Sequence, residues 1–378
     1  MSKGDGYVKI SWIEFENTDT GLKIENIKFY KDITLLVGLS GAGKSQILNA
    51  VEYSLGLAVR KNIRLRPYAV SMGIQIGSDN YEWSYKIEKS NINEILFDNE
   101  ENYSITYEKL LKNGKQVFER RVDEIVVDGY DKVPHPKSDE SLLSQYSEDK
   151  EFDGLISELR KLYPVEMELA VRGGISSENF NRFKIKVAET MKIKKDVEFE
   201  TFSHLPTPIK IYIAKNYFED IYIQIFEAVK ELFVEIEDID VVEDSTREMY
   251  LVSMTVYGKK MMQHDISNGM LKTIYYIVEL FTMSKDSLVL IDEFENGLGV
   301  NCIDVLSELL LTARKDLQFI ITSHHPKIIN GIDKDRWKII DRDINIVKNV
   351  ESKEYGIGNS QHDAYFNLIN RWEYEGKI

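Results

Sequence analysis

Apolar and polar positions along this chain follow two different periods, and the periods change in blocks. "YVKISWIEFENTDTGLKIENIKF" (7–29) alternates at period two, as half-buried strands do. "ITLLV" (33–37) is an uninterrupted apolar run suited to a buried strand, and "QILNAVEYSLGL" (46–57) follows with helical spacing. "GIQIGSDNYEWSYKIEKS" (73–90) alternates again around a turn at Gly77–Asn80, and "ITYEKLLKNGKQVFERRV" (105–122) carries an Asn113-Gly114 hairpin turn. "SLLSQYSEDKEFDGLISELRKL" (141–162) passes from an extended run into an amphipathic helix. From about 150 to 245 the pattern is mostly helical, as in "FEDIYIQIFEAVKELFVEIE" (218–237), but no heptad repeat is sustained, so a long coiled coil is not expected. "MLKTIYYIVELF" (270–281) reads as a buried helix, "LVLI" (288–291) and "FIIT" (319–322) as buried strands.

The link between the first apolar strand and its helix carries the most chemistry. "GLSGAGKS" matches G-x-x-x-x-G-K-[ST] at Gly38, Gly43, Lys44 and Ser45, between a strand and a helix, where this motif is meaningful. The glycines let backbone N–H groups of Gly38, Leu39, Ser40, Gly41, Ala42 and Gly43 wrap a phosphate, and the helix start through Gln46 adds positive potential. Lys44 would reach the β- and γ-phosphates, and the Ser45 hydroxyl would bind Mg2+. Further on, "SLVLIDEFENGLG" ends a buried strand in two acids. Asp292 there can hold the magnesium, and Glu293 can orient or deprotonate the attacking water. Binding of a nucleoside triphosphate is the expectation that follows from these two motifs together.

Composition narrows the setting. Over 378 residues, 43% hydrophobic and 29% charged content fit a soluble globular protein, and no run is apolar for long enough to span a membrane. The start lacks the layout of a signal peptide, and one cysteine, Cys302, allows no disulfide within the chain; a cytoplasmic protein is expected. The formal charge of −15 argues against a general nucleic-acid coat. Two basic stretches, "RKNIRLR" (60–66) and the segment 172–195, keep local DNA binding open.

The two nucleotide motifs lie far apart in sequence, and no Asn-Lys-x-Asp guanine-reading motif occurs. Shortly before the second comes "ISNGM" (266–270), and after it "TSHHP" (322–326). This layout resembles the SMC/RecF/OLD-like branch of ABC-type ATPases, specifically the compact standalone heads of bacterial anti-phage systems. The resemblance spans most of the chain in layout and is specific at the motifs. It implies an α/β fold: a P-loop NTPase of ABC-ATPase type with an antiparallel β-subdomain and a short helical insertion. Its expected division is 1–149 for the N-terminal half of the head, 150–244 for the insertion and 245–378 for the C-terminal half. In such heads a serine–glycine signature loop reaches the partner's nucleotide, a role that falls here on Ser267 and Gly269. Asn268 and Met270 depart from the transporter form "LSGGQ", and Ser267 also fits a plain helix N-cap. A switch histidine contacting the γ-phosphate falls on His324 rather than His325, and a glutamine sensing magnesium falls on Gln145. The implied partners are a second copy of the chain, forming a homodimer or higher homo-oligomer around two ATP, and a separate effector protein. The alternatives are a DNA-maintenance ATPase and a monomeric P-loop kinase or scaffold.

Overall fold

A computed structural model of the chain describes residues 7–90, 103–128, 137–146, 153–162, 174–193, 196–312, 314–350 and 370. In chain order the elements begin with β1 (Val8–Asn17), β2 (Leu22–Lys28), β3 (Ile33–Val37) and α1 (Lys44–Val59). There follow β4 (Tyr68–Ile76), β5 (Asp79–Lys89), β6 (Tyr103–Lys112), β7 (Lys115–Arg120), β8 (Ile125–Val127), α2 (Leu142–Gln145) and α3 (Asp153–Leu162). The middle of the chain forms β9 (Ile175–Ser176), α4 (Ser177–Ile193), α5 (Thr207–Tyr217), α6 (Glu219–Leu232), β10 (Ile236–Asp244), β11 (Met249–Val256), β12 (Lys259–Met262) and α7 (Asn268–Thr282). Last come β13 (Leu288–Ile291), α8 (Val300–Thr312), β14 (Gln318–Thr322), α9 (Pro326–Gly331), β15 (Trp337–Asp343) and β16 (Ile346–Val350).

These elements fall into two compact units. The first comprises 1–164, 286–294 and 316–378, the second 165–285 and 295–315.

Among the described residues the first unit holds a twelve-stranded sheet in the order β13-β14-β3-β15-β16-β2-β1-β4-β5-β6-β7-β8. At one end β13, β14, β3 and β15 run parallel. At the other, β1, β4, β5, β6, β7 and β8 pair antiparallel, so the period-two alternation of their sequences is the alternation of two sheet faces. The β6–β7 hairpin turns on Asn113 (φ 52°) and Gly114 (φ 77°), the doubly positive geometry that an Asn-Gly pair favours. One buried face packs Ile47, Leu48, Val51 and Leu55 of α1 with Ile13, Phe15, Trp83, Tyr85, Phe118 and Leu142.

The stretch from Ser141 is a short helix rather than an extended run. Ser141 caps it, accepting from Leu143 N at 3.1 Å, and the buried Glu108 accepts from Leu142 N at 2.8 Å and Ser141 Oγ at 2.6 Å. Two backbone donors at a helix start are thereby satisfied, which makes a helical turn cheaper than an extended path.

The second unit has its own sheet, β10-β11-β12 with β9 on β11, and helices α4 to α8. The helix expected over 218–237 stops at Leu232, and Ile236 already belongs to β10. Within 150–244 no described helix exceeds the 17 residues of α4. No helix among the described residues is long and apolar enough to cross a membrane.

Candidate nucleotide site

In parallel α/β sheets ligands gather at the carboxyl ends of the strands, and here the register makes three of those ends level. Ile291 of β13 pairs with Ile321 of β14, and Thr322 of β14 pairs with Leu36 of β3. The residues that follow each strand therefore meet at one edge of the first unit: Asp292 and Glu293 after β13, Ser323 and His324 after β14, and Gly38 onward after β3.

The glycine-rich loop runs from Gly38 to Gly43. Gly41 (φ 80°) and Gly43 (φ 102°) occupy the left-handed region, and a Cβ at Gly43 would stand 2.6 Å from Val347 Cγ2. A Cβ at Gly38 would stand 2.4 Å from the Ile340 carbonyl, so this position tolerates only glycine by contact, not by dihedral. Lys44 opens α1 with a buried side chain that folds back over the loop, donating from Nζ to the carbonyls of Gly38 (2.8 Å) and Leu39 (2.9 Å). An ammonium group, a helix N-terminus and a glycine loop are thus brought together, the physical recipe for binding phosphate. Ala42 is buried beneath, while Ser40, Gly41 and Ser45 are exposed. The side-chain oxygen of Gln46 is buried with no hydrogen-bond partner among the described residues.

A residue that sequence reasoning passed over organises the acids. Thr322 Oγ1 donates to Asp292 Oδ1 at 2.5 Å and accepts from Glu293 N at 2.7 Å, while its carbonyl accepts from Phe294 N at 3.1 Å. One threonine fixes both the carboxylate of Asp292 and the backbone of Glu293. The only signal for it in the sequence is a hydroxyl at the end of an apolar strand. Glu293 itself is exposed and sits at φ 45°, sparsely populated for any residue but glycine. Strain of this kind persists where neighbours over-determine the backbone, as Thr322 does here, and it collects at functional sites. Ser45 and Asp292 are hard oxygen donors, which suits Mg2+; that ion takes one or two protein ligands and fills its shell with water and phosphate.

His324 is exposed just beyond β14, whereas His325 is spent on structure, its Nδ1 accepting from Lys327 N at 3.3 Å to cap α9. Gln145 is also engaged. Its amide donates to the carbonyls of Glu140 (2.9 Å) and Lys137 (3.3 Å), and its oxygen accepts from Lys137 N at 3.0 Å. In this conformation the side chain closes the loop 137–140.

Ser267 and Gly269 lie in the second unit, at the start of α7. Ser267 is exposed and caps the helix, accepting from Met270 N at 3.2 Å. Gly269 lies so close to the segment after Glu293 that a Cβ would come 3.0 Å from the Gly297 carbonyl. Lys272 Nζ donates to the Asn296 carbonyl at 2.5 Å, a second tie between α7 and that segment. The motif is thus a helix cap by geometry, presented on a rigidly packed N-terminus.

Fold and site together define a P-loop ATPase head of the SMC-like ABC class. The chain belongs to the RecF/RecN/SMC N terminal domain family, whose model matches residues 10–341. It is 22% identical over 191 residues to the chromosome partition protein Smc of Methanocaldococcus jannaschii, matching 47% of this chain but 16% of that protein. The chain therefore spans a small fraction of the length of this relative. Solved structures similar to it include the Smc head domain with an extended coiled coil bound to the C-terminal domain of ScpA from Pyrococcus furiosus. That match has 12% identity, 91% of this chain, 96% of the other and a TM-score of 0.45. Another is the SMC head domain from Thermotoga maritima (12% identity, 90% and 98%, TM-score 0.42). A third is the SmcHead bound to the C-winged helix domain of ScpA (14% identity, 90% and 97%, TM-score 0.42).

Proposed function

We propose that this chain binds and hydrolyses ATP with Mg2+, and that two copies pair around two ATP molecules to act as a switch. The observation that carries this reading is the level edge of β13, β14 and β3, which gathers a phosphate loop, a magnesium-type carboxylate and a strained glutamate. In it, Gly38 to Gly43 and Lys44 hold the phosphates, while Ser45 and Asp292 hold the ion, which neutralises phosphate charge when bound. Glu293 takes a proton from the attacking water, and His324 faces the γ-phosphate. Ser267 and Gly269 of a second copy complete the shell, with the helix start at Asn268 adding its positive end. The switch would drive a separate effector protein, in the manner of the anti-phage heads the motifs resemble. Support for an interaction role comes from the short helices between the two nucleotide motifs, which replace any long coiled coil among the described residues.

Solution mass tests the pairing. Glu293→Gln should keep ATP and associate when Mg-ATP is added, with turnover lowered roughly 10²–10⁴-fold. Adding Ser267→Arg should abolish that association. Wild-type turnover in Ser267→Arg alone would reduce the segment to a helix cap. A DNA-directed reading is favoured by one feature: Arg182, Lys186 and Lys192 of α4 are exposed, with no acidic partner among the described residues.

A further inference from the structure

The helix α4 (Ser177–Ile193) has two unlike faces. On one, Phe180 and Val187 are buried, Phe180 stacks on Tyr250 with ring centroids 3.9 Å apart, and Lys184 Nζ lies 5.2 Å from the centre of the Tyr212 ring. That face seats the helix on β11 and α5, which carry the two tyrosines. On the other, Glu178, Arg182, Ile185, Glu189 and Lys192 recur at alternating spacings of four and three residues, so they form one stripe, and all five are exposed. Ile185, at the middle of the stripe, is 60% exposed. None of the four charged side chains has an ion-pair or hydrogen-bond partner among the described residues.

The order of signs along this stripe is self-complementary. When a second α4 is laid antiparallel across it about Ile185, positions at like distances on either side of Ile185 come level. Arg182 then faces Glu189 of the second copy, Glu178 faces its Lys192, and the two Ile185 side chains meet at the centre. The two-fold axis makes each charge pair twice. A parallel arrangement would instead set Glu178 on Glu178 and Arg182 on Arg182, where like charges repel.

Other occupants fit less well. A phosphate backbone meets Glu178 and Glu189 interleaved with the cations of the same stripe. An unrelated protein would require no such symmetry, whereas a charge order that complements itself under a two-fold axis is what an isologous contact needs.

We infer that the outer face of α4 is an interface with a second copy of this chain, formed without nucleotide, in which two helices lie antiparallel about Ile185. This goes beyond the ATP-dependent pairing proposed above and does not rest on it, since it uses neither the phosphate loop nor Ser267. One helix against another buries less than a standard interface, so the contact is weak and reversible by itself. Its effect is to keep copies of the head near one another before ATP arrives.

The test is sedimentation of the nucleotide-free protein over a range of concentrations, for wild type, Arg182→Glu, Glu189→Arg and the double variant Arg182→Glu/Glu189→Arg. Wild type should self-associate. Because the axis repeats the pair, each single variant turns two attractions into two repulsions and should raise the Kd of self-association roughly tenfold. The double variant restores opposite charges and should return Kd to within about threefold of wild type. Thermal midpoints should match across the series, since both side chains are exposed. A monomeric wild type, or a double variant as weak as the single ones, overturns the interface. Ser267→Arg should self-associate without nucleotide as wild type does; loss there overturns it too, because the contact would then be the face proposed for ATP. Arg182→Glu that loses duplex DNA binding while Kd stays unchanged makes the stripe a nucleic-acid face instead.

Discussion

At the scale of single residues the site depends on side chains that hold others in place. Thr322 donates to Asp292 and accepts from Glu293 N, so its hydroxyl links two groups to which the proposed function gives different tasks. Valine has nearly the same shape and β-propensity but cannot make either bond. Thr322→Val should lower kcat by roughly 10–100-fold, the usual scale for losing a group that orients a ligand or base. KM for ATP should stay near wild type, because the loop from Gly38 to Lys44 is untouched, and Thr322→Ser should recover most of kcat. A raised KM with normal kcat would remove Thr322 from this role. Lys44, Ser45, Asp292 and Glu293 could be named as candidates from the sequence because their spacing is tied to strand ends that an apolar run reveals. It could not show Thr322, since nothing local distinguishes that hydroxyl from one facing solvent. For Gln145, which the family resemblance suggested as a magnesium sensor, the structure shows an amide hydrogen-bonded to the backbone of Lys137 and Glu140.

At the scale of elements, α7 is the helix that presents Ser267, and it is fixed along its length. Lys272 ties its first turns, and Arg314 donates to the carbonyls of Leu280 (2.7 Å) and Met283 (3.1 Å) at its far end. Between them Glu279 is fully buried and accepts from Lys210 Nζ and Thr207 Oγ1, both at 2.6 Å. Removing one partner of such a pair strands a charge, so Lys210→Met should cost about 3–5 kcal/mol in denaturant unfolding. The double variant Lys210→Met/Glu279→Leu should recover much of that; a cost as large as the single variant's would mean that packing, not charge, is at stake. The short helix α2 gives a pH-dependent counterpart. Glu108, which receives its N-terminal donors and Trp83 Nε1 (3.1 Å), is raised above the ordinary carboxylate value of 4.5, chiefly by burial. The folded protein therefore holds this proton more tightly than the unfolded chain does. That stabilisation is complete below pH 4.5 and is lost as pH rises through the raised value. Thermal midpoints between pH 4 and 8 should show this decline in wild type and less of it in Glu108→Gln. Parallel curves would mean that Glu108 does not titrate differently on folding.

At the scale of the whole molecule, most of the fold was legible because hydrophobic period and turn chemistry agree: ITLLV, LVLI, the Asn113-Gly114 turn and the helix of α7 stand where their patterns place them. Sheet order was not legible, since the pairing of β15 with β3 and of β16 with β2 joins residues hundreds of positions apart. Charge is the remaining whole-molecule property that bears on function. A net −15 repels a phosphate backbone, while α4 displays Arg182, Lys186 and Lys192 locally. Three exposed cations can contact few phosphates, so any binding they support is weak and declines further as salt rises. Turnover of the wild-type protein should therefore be unaffected by duplex DNA at about 0.15 M salt, where screening is near physiological. Reversing the three cations should leave turnover and ATP-driven association as they were. DNA-stimulated turnover that declines with salt and disappears in the reversed variant would instead make α4 a nucleic-acid face. The head would then be a DNA-directed ATPase whose switch is read on a duplex, not by an effector protein.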